Sequence, residues 1–299
     1  MINRRNFMKT LGGGVAGMMV LGSYAFAIEP LARLNITRYA LTPPGWTPGL
    51  KLRIVALADI HACEPWMSAD RIATICARAN ELGGDVTVLL GDYVSGMKLT
   101  TGTVAPDRWA AALSTLTAPL GVHAVMGNHD WWEDPEAQDG GTETFSHRAL
   151  RDVGITVHSN TAIRLEKDGS AFWIAGLEDQ IALLPNSKFN RHGVQGRHDL
   201  DGTLAKVTDE APVILLAHEP DIFPNVPSRV ALTLSGHTHG GQVRLFGHAP
   251  VVPSRFGDKY AYGHVEENGC NLIVSGGLGC SIAPIRFGSP PEILVIDLG

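Results

Sequence analysis

The sequence contains few cysteines, and their spacing excludes one class of metal site. Its four cysteines are Cys63, Cys76, Cys270 and Cys280, and no two of them have the Cys-x-x-Cys spacing of a thiolate zinc site. Disulfides can form in an exported protein. We nevertheless expect buried free thiols, because the export route indicated below carries proteins that have already folded.

The sequence also lacks a basic run, an internal repeat and a low-complexity tract. Its formal net charge is −6, from 24 basic and 30 acidic residues. Sequence-independent nucleic-acid binding needs a basic surface, so this charge balance predicts no nucleic-acid-binding surface. The chain of 299 residues is 44% hydrophobic, which is typical of a globular protein with a substantial core.

Only one long apolar run is present, near the N-terminus, and a pair of arginines precedes it. The stretch NRRNFMKT contains Arg4 and Arg5, the glycine-rich run LGGGVAGMMVLGSYAFA follows, and no acidic residue occurs before Glu29. This order is typical of a twin-arginine export signal, and Ala25 and Ala27 fit a small-residue cleavage site.

We therefore divide the chain into a signal peptide (1–27), a lead-in segment (28–50) and one catalytic domain (51–299). Removal of the signal would leave a formal net charge of −9. The alternative is a retained membrane anchor, although the run from 11 to 27 is short against the roughly 20 residues of a span. Both alternatives predict a partner in the twin-arginine export machinery and a periplasmic or cell-envelope location.

Apolar runs of strand length alternate with helix-like stretches, which predicts an α/β fold with buried sheets. Alternating residues around KDGS predict an antiparallel hairpin. The expected strands are 53–58, 86–90, 122–126, 212–217, 230–234, 272–275 and 293–297, and the expected helices are 68–82, 106–117 and 142–153.

Side chains able to bind a metal ion follow five of these strands. Ligands of an open α/β sheet bind beyond the carboxyl ends of its strands, so we expect these side chains to converge. One Asp-x-His or one GNHD turn is weak evidence, but five strand ends that each carry a donor indicate a site. The donors are Asp59 and His61, Asp92, Asn128, His218, and His237 with His239.

Oxygen and imidazole donors without thiolate suit Mn²⁺, Fe or Zn²⁺. Seven donors are too many for one ion that keeps a position open for substrate, so two ions sharing a carboxylate are expected. The remaining histidines lack this context and are predicted to be structural or on the surface. They are His123, His147, His158, His192, His198, His248 and His264.

The motifs DIH, GD, GNHD, H and GHTHGG, in this order, resemble those of the calcineurin-like metallophosphoesterases. The resemblance covers residue 51 to the C-terminus and implies two mixed β-sheets packed as a sandwich flanked by helices. It implies that one ion takes Asp59, His61, Asp92 and His239. The second ion would take Asp92, Asn128, His218 and His237, with Asp92 bridging the two.

The stretches GHTHGGQVRL and GGLGCSIAPIRFGSPPEI resemble a twin-arginine-exported bacterial branch. That branch is similar to exported phosphodiesterases and to UDP-2,3-diacylglucosamine pyrophosphatase-like proteins. The stretch GDYVSG has Ser95 where the family's protein phosphatases carry an acid, which argues against a phosphoprotein substrate.

The expected activity is therefore a dinuclear metal-dependent phosphodiesterase, in which a bridging hydroxide attacks phosphorus in line. His129 would stabilise charge or protonate the leaving oxygen, and Asp130 would either orient His129 or cap the following segment. The substrate would be a small phosphodiester or pyrophosphate, free or lipid-linked. One alternative is a lipid-pathway pyrophosphatase, and a remote one is a non-catalytic metal-binding module.

Three features near these motifs are open to interpretation. Trp131 and Trp132 can contact substrate or fill the core. Arg286 is a candidate phosphate contact. The apolar stretch Val243–Gly257 can face lipid or cover the core.

Overall fold

The computed structural model describes residues 4–185 and 193–299 of the chain, so His192 lies outside the described residues. The α-helices are α1 (Arg4–Ser23), α2 (Ala69–Asn80), α3 (Pro106–Leu113), α4 (Asn128–Trp132), α5 (Pro135–Gln138), α6 (Phe145–Asp152) and α7 (Leu200–Leu204). A π-helical segment, Tyr24–Ala32, continues α1, and short 3₁₀ segments cover Pro220–Asn225, His239–Gly241 and Gly257–Tyr260.

The strands form two six-stranded sheets and one small two-stranded ribbon. They are β1 (Asn35–Leu41), β2 (Leu52–Leu57), β3 (Cys63–Glu64), β4 (Val86–Leu90), β5 (Gly102–Thr103), β6 (Val122–Val125), β7 (Thr156–Val157), β8 (Thr161–Lys167), β9 (Ser170–Gly176), β10 (Val213–Leu216), β11 (Val230–Ser235), β12 (Gly263–Glu267), β13 (Cys270–Val274) and β14 (Glu292–Leu298).

Each large sheet is mixed. The first has the order β1-β14-β2-β4-β6-β7, and only the β14–β2 pair is antiparallel. The second has the order β12-β13-β11-β10-β9-β8, with antiparallel strands at its two edges and four parallel strands between. The predicted α/β class with two mixed sheets is confirmed.

Strand residues alternate between two cores, because successive side chains point to opposite faces of a sheet. Ile54 and Ala56 of β2 face the second sheet, where they pack with Ile214 and Leu216 of β10. The intervening residues of β2 face helices α2, α3 and α6 in a separate core. A third core covers the outer face of the second sheet. The result is a sandwich flanked by helices.

The seven expected strands appear as β2, β4, β6, β10, β11, β13 and β14, with ends within two residues of expectation, and the KDGS hairpin is β8–β9. Helix α6 begins three residues later than expected because Thr144 caps it. The Thr144 hydroxyl accepts a hydrogen bond from the backbone N–H of His147 at 3.4 Å, and Thr144 N donates to His147 Nδ1 at 3.0 Å. Helix α3 ends at Leu113, four residues earlier than expected. The hydroxyls of Ser114 and Thr115 donate to carbonyls in the last turn of the helix.

Strand β1 was not expected within the lead-in segment. It pairs in parallel with β14, from Asn35 opposite Glu292 to Leu41 opposite Leu298. β1 lies at the edge of the first sheet and half of its surface meets solvent, so its sequence NITRYAL lacks the continuous apolar run of a central strand.

Candidate metal centre

The carboxyl ends of the parallel strands in both sheets meet at one edge of the sandwich. Their loops are joined directly: Asp59 N donates to Gly91 O at 3.1 Å, and Gly236 N donates to His218 O at 3.0 Å. This edge carries all seven predicted donors, and each of them is buried. We call it the catalytic edge.

The first donor group contains Asp59, His61, Asp92 and His239, whose donor atoms all lie within 4.8 Å of one another. The Nε2 atoms of His61 and His239 are 3.0 Å apart. Nε2 of His239 is 3.5 Å from Asp59 Oδ1, and Nε2 of His61 is 3.4 Å from Asp92 Oδ2.

The second donor group contains Asp92, His218 and His237, again within 4.8 Å. His218 Nε2 lies 3.3 Å from Asp92 Oδ2, the same oxygen that faces His61. Asn128 joins this group, since its Oδ1 is 2.9 Å from Nδ1 of His237. One carboxylate oxygen therefore lies between the two groups.

Backbone carbonyls fix the ring tautomer of three of these histidines. Nδ1 of His61 donates to Val94 O at 3.1 Å, and Nδ1 of His218 donates to Leu90 O at 2.6 Å. His237 has the opposite arrangement, with Nε2 donating to Pro253 O at 2.9 Å. When the ring is neutral, its other nitrogen keeps the lone pair and points into the site, as metal binding requires.

The donor set fits metal ions. Asp59 Oδ2 and His218 Nε2 are buried atoms without a hydrogen-bond partner, although buried polar atoms are normally paired. Ligands about 2.0–2.2 Å from one ion lie roughly 3.0–3.5 Å from each other, and the first group has separations of 3.0–3.5 Å. Lone pairs that converge so closely repel one another unless a cation lies between them.

Electrostatics support the same conclusion. Burial raises the pKa of Asp59 to about 7, and burial lowers the pKa of His61 to about 3. Burial also acts against ionisation of Asp92, but His218 and His129 outweigh it and hold the Asp92 pKa well below its usual value. A bound cation would keep the carboxylates ionised and the imidazoles neutral, which is the ligand state.

The donors are held in an unusual backbone conformation. Asp59, His61, Asp92, His237 and His239 all have φ between 49° and 69°, in the left-handed region. This conformation costs a residue other than glycine roughly 1–2 kcal/mol of conformational energy, and such strain is frequent at functional sites. Thr238, between the two histidines, faces away from the site and donates to Ala261 O at 2.7 Å.

His129 borders the first donor group. Its ring lies edge-on to that of His61, with centroids 5.0 Å apart, and its backbone N–H donates to Asp92 Oδ1 at 2.8 Å. Nε2 is 3.2 Å from Ser281 Oγ, and Nδ1 is 3.6 Å from Glu133 Oε1. Burial lowers the pKa of His129, but the carboxylates of Asp92 and Glu133 outweigh it and raise the pKa above its usual value.

Asp130 holds backbone rather than the His129 ring. Its Oδ2 accepts from Asp92 N at 3.0 Å and from Gly127 N at 2.9 Å. Its Oδ1 accepts from Tyr93 N at 3.1 Å and from Ser146 Oγ at 2.9 Å. These bonds support the capping role and make Asp130 a positioning residue that fixes two of the ligand loops.

Arg286 is not available to a phosphate, contrary to the expectation from sequence. It is fully buried, and its guanidinium donates to the carbonyls of Gly276, Gly279 and Ser289. Its Nη2 lies 3.2 Å from Nδ1 of His239. Arg286 therefore helps to position the His239 ring by contacting Nδ1, the ring nitrogen on the side away from the other donors.

Both tryptophans pack in or against the core, and Trp132 also borders the site. Trp131 is buried in the core, where Nε1 donates to Glu178 Oε2 at 3.1 Å. Trp132 is half-buried, and its ring lies edge-on to His129 with a centroid distance of 5.3 Å.

Two buried acidic residues near the second donor group, Asp179 and Glu219, were not identified from the sequence. Burial together with the neighbouring Glu219 raises the pKa of Asp179 well above its usual value. Gln180 N donates to Glu219 Oε2 at 3.0 Å. The sequence did contain a signal, since Glu219 directly follows the donor His218.

The expectations for cysteine and for the other described histidines agree with the structure. All four cysteines are free and buried. His123 and His158 are buried and stacked on each other, and His147 Nε2 lies 2.8 Å from Glu178 Oε1. His248 is exposed.

A sandwich of two mixed sheets with an Asp/His cluster at one edge defines a metal-dependent hydrolase of phosphoesters. The family model of the calcineurin-like phosphoesterases matches residues 52–241. The uncharacterized metallophosphoesterase YkuE of Bacillus subtilis (strain 168) is 31% identical, over 99% of this chain and 98% of its own. The chain belongs to the calcineurin-like phosphoesterase family and is a metal-dependent phosphoester hydrolase.

Two other relatives match this chain over different shares of their own length. The phosphodiesterase YaeI of Escherichia coli (strain K12) is 27% identical over the full length of both chains. A transmembrane protein with metallophosphoesterase domain from Danio rerio is 33% identical over 64% of this chain and 41% of its own.

Proposed function

We propose that the protein is a dinuclear phosphodiesterase. The observation that carries the proposal is the position of Asp92 Oδ2, 3.4 Å from Nε2 of His61 and 3.3 Å from Nε2 of His218. A single oxygen that faces one histidine of each donor group is placed to bridge two ions. The name of the E. coli relative, a phosphodiesterase, supports the reaction class.

Two divalent ions bound here would supply positive charge for the phosphoryl oxygens and an activated water for in-line displacement at phosphorus. One ion would be held by Asp59, His61 and His239, and the other by Asn128, His218 and His237, with Asp92 shared. Mn²⁺, Fe or Zn²⁺ suits these donors.

The protein's own contribution beyond the ligands centres on His129. Its ring borders the first donor group, and its backbone bond to Asp92 Oδ1 fixes it there. Glu133, 3.6 Å from Nδ1, favours the protonated ring. In its protonated form, the His129 ring can donate the Nε2 proton to the leaving oxygen of a diester. Ser281, 3.2 Å from Nε2, orients the ring in the absence of substrate.

We further propose that the arginine pair at Arg4 and Arg5 directs export of the folded protein by the twin-arginine route. The domain would then work in the periplasm or the cell envelope. This location argues against the pyrophosphatase alternative, whose substrate is made in the cytoplasm.

Asp92→Asn tests the dinuclear site, because it keeps the shape of the side chain but removes the shared charge. We expect loss of at least one ion and of nearly all diester hydrolysis, with the fold retained. The measurements are metal content by mass spectrometry and turnover of a diester, a monoester and a nucleotide pyrophosphate with each metal. The control is Asp168→Asn in the β8–β9 turn, at the opposite edge of the sheet, where φ is 51° and asparagine is tolerated. Two ions and normal turnover in Asp92→Asn would refute the proposal.

A further inference from the structure

Exposed apolar side chains are concentrated at the catalytic edge. Among residues 33–185 and 193–299, all seven large apolar side chains that are exposed lie on loops leaving that edge, after β4, β9, β11 and β13. The described loops at the opposite edge expose none. The seven are Leu99, Val194, Leu245, Phe246, Val251, Tyr262 and Ile282.

Three of these side chains protrude furthest, and we call them the apolar rim. Phe246 is fully exposed, Ile282 is 82% exposed and Val251 is 69% exposed. Their loops touch the site: Pro253 O accepts from His237 Nε2, and Ser281 Oγ lies 3.2 Å from His129 Nε2. Any apolar surface that covers the rim therefore also faces the metal donors.

The N-terminal helix packs against the same loops. The ring of Tyr24 contacts that of Phe287 at 6.0 Å between centroids, and Phe287 O accepts from Arg244 N at 2.7 Å, two residues before Phe246. Helix and rim thus lie on one side of the molecule.

Residues 24–32 are built into the domain. Ala25 O accepts from the backbone N–H of Arg286 at 2.9 Å, and Arg286 contacts the ligand His239. Glu29 is 1% exposed, and its carboxylate accepts from Ser289 N at 2.7 Å. Cleavage after Ala27 would remove the acceptor of Arg286 and detach half of this packed segment.

The length of the free part of the helix sets the distance between domain and membrane. Leu11–Ala32 is long and apolar enough to cross a membrane, but its last nine residues, Tyr24–Ala32, are attached to the domain through the buried Ala25, Glu29 and Pro30. The part from Leu11 to Ser23 rises roughly 20 Å at about 1.5 Å per residue, about 10 Å less than a hydrocarbon core. A helix that spans the core must therefore draw the packed segment, and the loops beside it, into the interface.

We propose that residues 4–32 stay attached as an anchor and that the apolar rim lies in the surface of a phospholipid bilayer. The substrate is then a phosphodiester carried by a lipid of that bilayer, which rests on the proposed phosphodiesterase function. The orientation agrees with the basic residues Arg4 and Lys9 before the apolar run, since positive charge stays on the cytoplasmic side.

The test uses the full chain reconstituted in vesicles of phosphatidylethanolamine and phosphatidylglycerol. Because all four native cysteines are buried, a cysteine introduced by Phe246→Cys or Ile282→Cys takes a polarity-sensitive maleimide dye selectively. The matched control is Glu210→Cys, whose native side chain is 99% exposed just before β10, at the opposite edge.

We expect the dyes at 246 and 282 to shift to the blue and to lose fluorescence to nitroxide-labelled lipids, while the dye at 210 stays sensitive to aqueous iodide. Iodide quenching as strong at 246 and 282 as at 210 would overturn the proposal. So would shielding from iodide without lipid quenching, which indicates a protein partner. These readings use no substrate, so they succeed or fail independently of diester hydrolysis.

Two further measurements complete the test. Mass spectrometry of protein from carbonate-washed membranes should find peptides that include residues 24–32, and a mature N-terminus after Ala27 would overturn the anchor. Replacing Phe246 and Ile282 by serine should lower the ratio of vesicle-borne to soluble diester hydrolysis by about 10-fold or more, whereas replacement by leucine should preserve it. An unchanged ratio in the serine variant would overturn the lipid substrate.

Discussion

Gly127 lies directly behind the shared carboxylate, and a methyl group at that position would collide with it. A Cβ on Gly127 would stand 2.3 Å from Asp92 Oδ1, 2.6 Å from Asp92 N and 2.8 Å from His218 Cε1. Its φ is −114°, a conformation open to any residue, so the close approach alone requires glycine. Gly127→Ala therefore perturbs the metal centre by steric contact only.

The size of the effect follows from these distances. Comfortable contacts begin near 3.5 Å, so the Asp92 carboxylate has to move by about 1 Å. Metal–oxygen distances of about 2.0–2.2 Å tolerate changes of only about 0.2 Å, so Asp92 would lose at least one ion. A displacement of 1 Å in a catalytic arrangement costs roughly 10²-fold in rate. Overpacking should lower the free energy of unfolding by about 1–3 kcal/mol.

Metal content by mass spectrometry, diester turnover and urea unfolding measure these three effects in one preparation. The control is Gly102→Ala, where an added Cβ meets nothing within 4 Å, and it should change none of them appreciably. If folded Gly127→Ala retains two ions and full turnover, the position of Asp92 described here is not the working one, and the bridging role fails with it.

Three further outcomes are expected. His129→Ala should keep both ions but lose roughly 10²–10⁴ in turnover, with a smaller loss for good leaving groups; an equal loss across leaving groups excludes proton donation. Arg4→Lys with Arg5→Lys should leave the precursor in the cytoplasm with its metal already bound, as fractionation and metal analysis can show. Burial, with His123, lowers the pKa of His158 to about 4, so its neutral form contributes stability that is present above about pH 6.5 and is lost as the pH falls toward 4. His158 should account for about 2 kcal/mol of the stability lost between pH 7.5 and pH 5, measured by urea unfolding as the amount by which that loss shrinks in His158→Asn.

The sequence predicted the central strands well because they are buried on both faces, which demands continuous apolar runs such as VTVLL in β4. The seven side chains expected as metal ligands lie together because each one follows such a run, where carboxyl ends converge. Strand β1 was not predicted, because an edge strand does not need a continuous apolar run. The extra strand nevertheless extends the sheet through β14, which also pairs with β2, the strand that leads to Asp59.

Capping was one of two alternatives expected for Asp130, but neither the choice between them nor the position of Arg286 could be settled from the sequence, because both depend on contacts distant in sequence. Asp130 bonds to Asp92 N, 38 positions away, and Arg286 reaches His239, 47 positions away. A carboxylate next to a catalytic histidine suggests a dyad, and an arginine in a glycine-rich stretch suggests a phosphate site. Only the three-dimensional arrangement shows that the polar atoms of each side chain already have partners, most of them in the backbone.

Half of the described residues other than glycine with positive φ are donors, although Gln242 and Phe246, which are not donors, also have it. Ten described residues other than glycine have positive φ, and Asn160, Asp168 and Asn268 are among them. Asparagine and aspartate tolerate this conformation because their short side chains bond locally, so these three need no further explanation. Histidine tolerates it less readily, yet His61, His237 and His239 all adopt it. All three are donors, so at these positions the strain coincides with the metal centre.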